Sequence, residues 1–132
     1  MKKIKDIRTN VTSYGESYIL DNQITGRILV DDNHSFEGLL FIECEPHLVF
    51  GNINEEKMEM LLKSDSGDKL YKVEKDGDTY YGDCFIKENN FEYPIGECIV
   101  NVMNAEEYRS LYPGEEKILE ERIQKVKTAK KN

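Results

Sequence analysis

The stretch 69-KLYKVEKDGDTYYGDCFIK-87 decides the fold class. Asp76-Gly77 is a two-residue hairpin signal, because a type I′ turn needs positive φ at both central positions and Asp-Gly tolerates them. Pairing outward from that turn sets Lys75 opposite Asp78, Glu74 opposite Thr79, Val73 opposite Tyr80 and Tyr71 opposite Gly82. Strand side chains alternate between faces and cross-strand partners share one. One face is then Tyr71, Val73, Tyr80, Gly82, Cys84 and Ile86, the core face. The other carries Leu70, Lys72, Glu74, Tyr81, Asp83 and Phe85.

Upstream, Gly26 to Val30 reads as a strand closed by the turn cluster Asp31-Asp32-Asn33. Phe36 to Glu45 is the clearest alternation. Phe36, Gly38, Leu40, Ile42 and Cys44 share one face, and Glu37, Leu39, Phe41, Glu43 and Glu45 the other. Pro46 is expected to end that strand, since it cannot donate to a ladder, and His47 to Ile53 follows as another. Glu55 to Lys63 is ambiguous. Met58, Met60 and Leu62 alternate with charged residues as in a strand, the reading favoured here. Asn54 ahead of Glu55 and Glu56 equally suits a helix cap. Downstream, Asn89-Asn90 is a loop and Gly96 to Met103 a strand apolar on both faces.

The character changes at Asn104-Ala105-Glu106-Glu107, a capping-box-like helix start. Pro113-Gly114 stops that helix. A second one, from about Glu115 to Ala129, has its acids early and its bases late, as the helix dipole favours. Its stripe Ile118, Leu119, Ile123 and Val126 must be buried, either on the chain's own sheet or against a second copy; the homodimer is the favoured reading, because the acid-to-base ordering lets antiparallel helices pair opposite charges. Lys130-Lys131-Asn132 are expected to fray. The fold class is therefore mainly β (α+β): an antiparallel barrel or strongly curved sheet of about six to eight short strands, followed by two C-terminal helices. One domain is expected over residues 1–132, with a β body at about 12–103 and a helical segment at about 104–130.

The 132 residues carry a net charge of −8, unevenly spread. Residues 1–11 are basic by +3 and residues 113–132 by +2, which leaves the body at −13. Such a body repels phosphate backbones and anionic membranes, so neither nucleic acid nor membrane is an expected partner. No apolar run approaches the length of a membrane span, and no secretory signal is seen. With three cysteines, an odd number, the expectation is reduced thiols in a cytoplasm.

Cys44, His47, Cys84 and Cys98 have the chemistry of metal ligands. The 13 residues between Cys84 and Cys98 do not suit a zinc ribbon, and each cysteine lies on the more apolar face of its strand. Core thiols are the expectation, with no metal or cofactor. Asp31-Asp32, Asp65 with Asp68, and Asp76 with Asp78 fit no calcium loop and read as turns. No phosphate-binding glycine loop, nucleophile elbow or zinc-protease helix is present.

Eight tyrosines and no tryptophan point toward half-buried strands or an interface. Leu39 and Phe41 lie among Glu37, Glu43 and Glu45; Tyr81 and Phe85 lie with Asp83. Apolar residues ringed by acids form a candidate partner patch, unless the C-terminal helix covers them. The leading expectation is a non-enzymatic binding or inhibitory module of the immunity, antitoxin or anti-defence kind. It would dock on a basic protein through Leu39, Phe41, Glu43, Glu45, Tyr81, Asp83 and Phe85. Two alternatives stand beside it: a small-ligand barrel with a pocket lined by tyrosines and cysteines, and a small hydrolase using two carboxylates.

Overall fold

The hairpin forms, with its register moved by two residues from that expected. The structure, a computed structural model, describes residues 2–14, 23–108 and 110–129. Strands Asp68–Asp76 and Thr79–Glu88 pair so that Asp76 faces Thr79, Lys75 faces Tyr80 and Tyr71 faces Cys84. The two loop residues are thus Gly77 and Asp78. Gly77 has φ +67° and Asp78 lacks a positive φ, the II′ pattern, which places glycine at the first central position. A two-residue register change preserves the faces, so Tyr71, Val73, Tyr80 and Cys84 are buried as the alternation predicts.

In chain order the strands are β1 (Lys3–Ser13), β2 (Ile24–Val30), β3 (Ser35–Ile42), β4 (Glu45–Ile53), β5 (Lys57–Leu62), β6 (Asp68–Asp76), β7 (Thr79–Glu88) and β8 (Phe91–Asn104). Each pairs antiparallel with the next, and β8 pairs back onto β1, which closes an eight-stranded up-and-down barrel. Closure leaves no free sheet edge. Helices α1 (Ala105–Tyr108) and α2 (Glu115–Ala129) follow. Among the described residues no helix is long and apolar enough to cross a membrane.

Several local expectations are corrected. The β body begins at Lys3, not near residue 12. The basic N-terminal segment is the strand that seals the barrel, with Ile7 and Thr9 buried and Arg8 exposed. The single strand expected from Phe36 to Glu45 is broken by a turn at Glu43 and Cys44, with φ +51° and +68°. Pro46 does not end a strand. It opens β4, opposite Phe41, where β5 has not yet joined the ladder and no second neighbour needs its missing N–H. Residues 57–62 form a strand, as favoured, and Asn54 caps a turn: its Oδ1 accepts from the N–H groups of Glu56 and Lys57. The first helix is one turn long, with Asn104 Nδ2 donating to Glu107 Oε1 at 2.9 Å. Residues 130–132, expected to fray, lie outside the described residues.

Two apolar clusters hold the fold. The larger fills the barrel, from Ile7 and Ile28 through Leu40, Met60 and Tyr71 to Val100. The smaller lies outside it: Leu119 and Ile123 of α2 pack with Ile4, Leu29, Leu39 and Ala105, and Leu48 and Val126 flank them. The helix stripe thus lies on the chain's own sheet and not, as favoured from the sequence, against a second copy, because Ile4, Leu29 and Leu39 give it an apolar outer face to cover.

Candidate functional site

An eight-stranded barrel is just wide enough for side chains to fill it or for one small ligand to enter. Here both ends are open: a cavity of about 530 Å³ between Lys5, Ile53, Tyr80 and Val102 lies at one, and a smaller one at the other. At the end carrying the β2–β3, β4–β5 and β6–β7 turns, Tyr80 points its hydroxyl to the carbonyl of Asn54 at 2.7 Å, a satisfied buried phenol. At the opposite end, beside the β3–β4 turn, a cavity of about 370 Å³ opens between the strand ends. Val11, Ile24, Ile42 and Ile95 form its apolar wall, and Glu43 and Lys69 are its charged groups. Tyr71 and Cys84 reach it from adjacent strands.

Alternation and register place these groups. Tyr71 and Cys84 are direct partners across β6 and β7, and Cys98 pairs with Gly82 and Val11 on the two sides of β8. All face inward. Tyr71 is fully buried, and its hydroxyl makes no hydrogen bond of good geometry, although Thr9 and Cys84 both lie close enough to act on the phenol. The hydroxyl of buried Thr9, whose neighbour on β8 is Val100, likewise makes none. A buried polar group left unpaired costs roughly 1–3 kcal/mol, so two in one barrel call for an explanation. Burial pushes the Tyr71 phenol well above its ordinary range, and Cys84 and Cys98 push it the same way. Burial also raises the Cys84 thiol to about 11 and the Cys98 thiol to about 12. The lining therefore holds two neutral donors, the Tyr71 phenol and the Cys84 thiol.

The seven residues marked from the sequence are divided. Leu39 is buried beneath α2. Phe41 is exposed beside the cavity mouth, and Glu43 and Glu45 flank it at the β3–β4 turn. Tyr81 and Asp83 lie on the outer face of β7, four strands around the barrel from β3, where Tyr14 donates to Asp83 at 3.0 Å. Phe85 is half-buried, with the Lys72 ammonium 5.5 Å from its ring centre. α2 covers Leu39 but not the β7 group. Tyr71 and Cys84 carry a signal that alternation supplies, the core face of the hairpin. Their position beneath an opening, however, depends on closure.

Cys44 is exposed in its turn, contrary to the expected core position. Among the described residues no group of three His, Cys, Asp or Glu side chains is placed to hold a metal ion. His47, expected as a possible ligand, has its Nδ1 3.3 Å from the carbonyl of Lys63. The fold and site thus define a closed up-and-down β-barrel with a small mouth cavity whose mixed apolar and polar lining includes neutral donors. Comparison with protein-family models, with curated proteins and with solved structures yields no match.

The thiols give a direct test of this arrangement. At pH 8 a thiol reagent should modify Cys44 quickly and leave Cys84 and Cys98 unreacted, because only a thiolate attacks and burial disfavours it. The same shifts make the barrel weaker in alkali. An unfolded cysteine gives up its proton near pH 9, whereas the folded ones hold theirs to about 11 and 12. Above pH 9 the unfolded chain thus binds fewer protons than the native one, and stability falls with rising pH. Thiol counting by mass and urea melts from pH 8 to 11 check both statements. Rapid modification of all three cysteines in the folded protein would overturn them.

Proposed function

We propose that the protein binds a small, mostly apolar molecule in the mouth of the barrel, with a neutral hydrogen-bond acceptor directed at Tyr71. The observation that carries this reading is Tyr71, part of the lining of a cavity that opens outward, whose fully buried hydroxyl makes no hydrogen bond of good geometry. Small-molecule sites are concave, mainly apolar and oriented by a few polar groups, with volumes of about 300–1,000 Å³. A protonated phenol favours a carbonyl or ether oxygen. It has no charge to offer an anion, and a cation gains nothing from a donor.

The test is titration of labelled protein with acetophenone, followed by NMR. Binding should perturb Tyr71, Cys84 and Ile95, and Tyr71→Phe should weaken it about tenfold, the worth of one hydrogen bond. Shifts that avoid these residues, or an affinity unchanged in Tyr71→Phe, would overturn the assignment.

Docking onto a basic protein is the weaker reading on geometry, because its residues are shared between two walls of the barrel. Exposed Tyr81 and Tyr14 flanking Asp83 are what supports it. A carboxylate hydrolase needs two acids, and among the described residues one, Glu43, lines the cavity.

A further inference from the structure

A second cavity, of about 360 Å³, lies outside the barrel along the seam between α2 and the outer faces of β8, β1, β2 and β3. Its floor is set by register. Arg8 stands opposite Thr25, and Arg27 opposite Asp6 on one side and Leu39 on the other. Arg8 and Arg27 are therefore diagonal neighbours on one outer face. The helix supplies Ile118, Leu119 and Arg122, with buried Glu115 at its start. Arg27 is already engaged, with Nε 3.5 Å from Asp6 Oδ1 and Nη1 3.4 Å from Glu115 Oε1. Both carboxylates of the groove thus face Arg27. Arg8 and Arg122 have no ion pair among the described residues, and both are exposed to the groove. Among the described residues, three guanidiniums against two carboxylates leave the lining at +1 on a chain whose net charge is −8.

We propose that this groove binds a small amphiphilic carboxylate. Its head would lie between Arg8 and Arg122, and its apolar tail would run along Phe41, Leu39 and Ile118. The site shares Phe41 with the rim of the barrel mouth but none of the groups that bind there, and it does not depend on the function proposed for that mouth. A guanidinium fork matches a carboxylate in two parallel hydrogen bonds, which a lone surface charge does not. A single negative charge neutralises the lining, whereas a dianion would also meet Asp6 and Glu115. The acidic body is no barrier at this range, because salt screens its field over about 8 Å under physiological conditions.

The experiment titrates the intact chain with octanoate and, separately, with 1-octanol, by calorimetry and NMR. Octanoate should perturb the amides of Arg8, Ile118 and Arg122, and octanol should bind at least about tenfold more weakly, as loss of a charge-assisted pair requires. Arg122→Gln and Arg8→Gln should each reduce octanoate affinity about tenfold, and Arg122→Lys less, since it keeps the charge and loses the fork. Both side chains are exposed, so melting temperatures should hold and separate lost binding from lost folding. Equal affinity for octanol, shifts confined to Tyr71 and Cys84, or variants that bind octanoate as well as wild type would each overturn the proposal.

Discussion

Gly38→Ala is expected to destabilise the barrel by about 3 kcal/mol or more, enough to leave a marginal domain largely unfolded in mild urea. Gly38 sits on the inward face of β3 between Ile28 and Val49. A Cβ there would overlap the carbonyl oxygen of Arg27 and stand 2.7 Å from Ile28 Cα and 2.8 Å from Ile28 Cγ2. Two of those three atoms are backbone within a closed ladder, so no rotamer change relieves them. Separating β2 from β3 would break the ladder that closes the barrel, and every other strand is fixed by two neighbours. Inward glycines of this kind let a strand coil tightly enough to close. Gly77→Ala in the exposed hairpin turn gives the contrast. Nothing lies within 4 Å of a Cβ there, so its cost comes from the positive φ alone and should be about 1 kcal/mol. Urea melts of the two variants decide the matter. A Gly38→Ala midpoint within error of wild type would mean the strands have slack that the structure denies them.

The same close packing explains which parts of the fold are legible in the chain. Inward and outward faces survive any even error in register, so the hairpin core was readable even though Asp76-Gly77 and Gly77-Asp78 are both plausible loops. Turns announced by Asp, Asn and Gly were readable for the same chemical reason: Asp31 Oδ1 accepts from Asn33 and Ser35, as an Asx turn should. The β3–β4 turn was not. Glu43 and Cys44 take positive φ in it although neither residue favours that region, and the alternation of Phe36 to Glu45 runs straight through. β1 was hidden by its own charges. Asp6 and Arg8 look like a solvated tail until closure sets Arg27 beside one and Thr25 beside the other. Both cavities share that limit. Alternation marks Tyr71 as a core tyrosine, but whether its hydroxyl finds a partner depends on how the barrel end closes. The arginine groove joins residues 8, 27 and 122, which no local pattern connects.

The remaining large effect is expected at the helix. Leu119→Asp with Ile123→Asp should detach α2 while leaving the barrel closed. Both side chains are buried against Ile4, Leu29 and Leu39, at 6% and 2% exposure, so each aspartate would replace an apolar contact by a charge. Removing a buried Leu or Ile side chain alone costs about 2–5 kcal/mol. The loss to the whole chain is nonetheless capped, because the helix can leave. The barrel interior is a separate cluster containing neither residue, and two of the ion pairs that tie the helix down, Lys2 to Glu120 and Lys127 to Glu37, are partly exposed and weak, which leaves Arg27 to buried Glu115 at the helix start. A lone helix of this length is marginal in water, so detachment should also melt it. Circular dichroism should then show helical signal lost with strand signal retained, and melting should remain cooperative at a lower temperature. Undocking would bare Leu29 and Leu39, an apolar patch that invites association, so sedimentation should show the variant gaining mass with concentration. A wild type that doubles in mass and a variant that does not would assign the stripe to a helix pair between two chains instead. A variant that keeps its helicity, mass and melting temperature would remove the packing altogether.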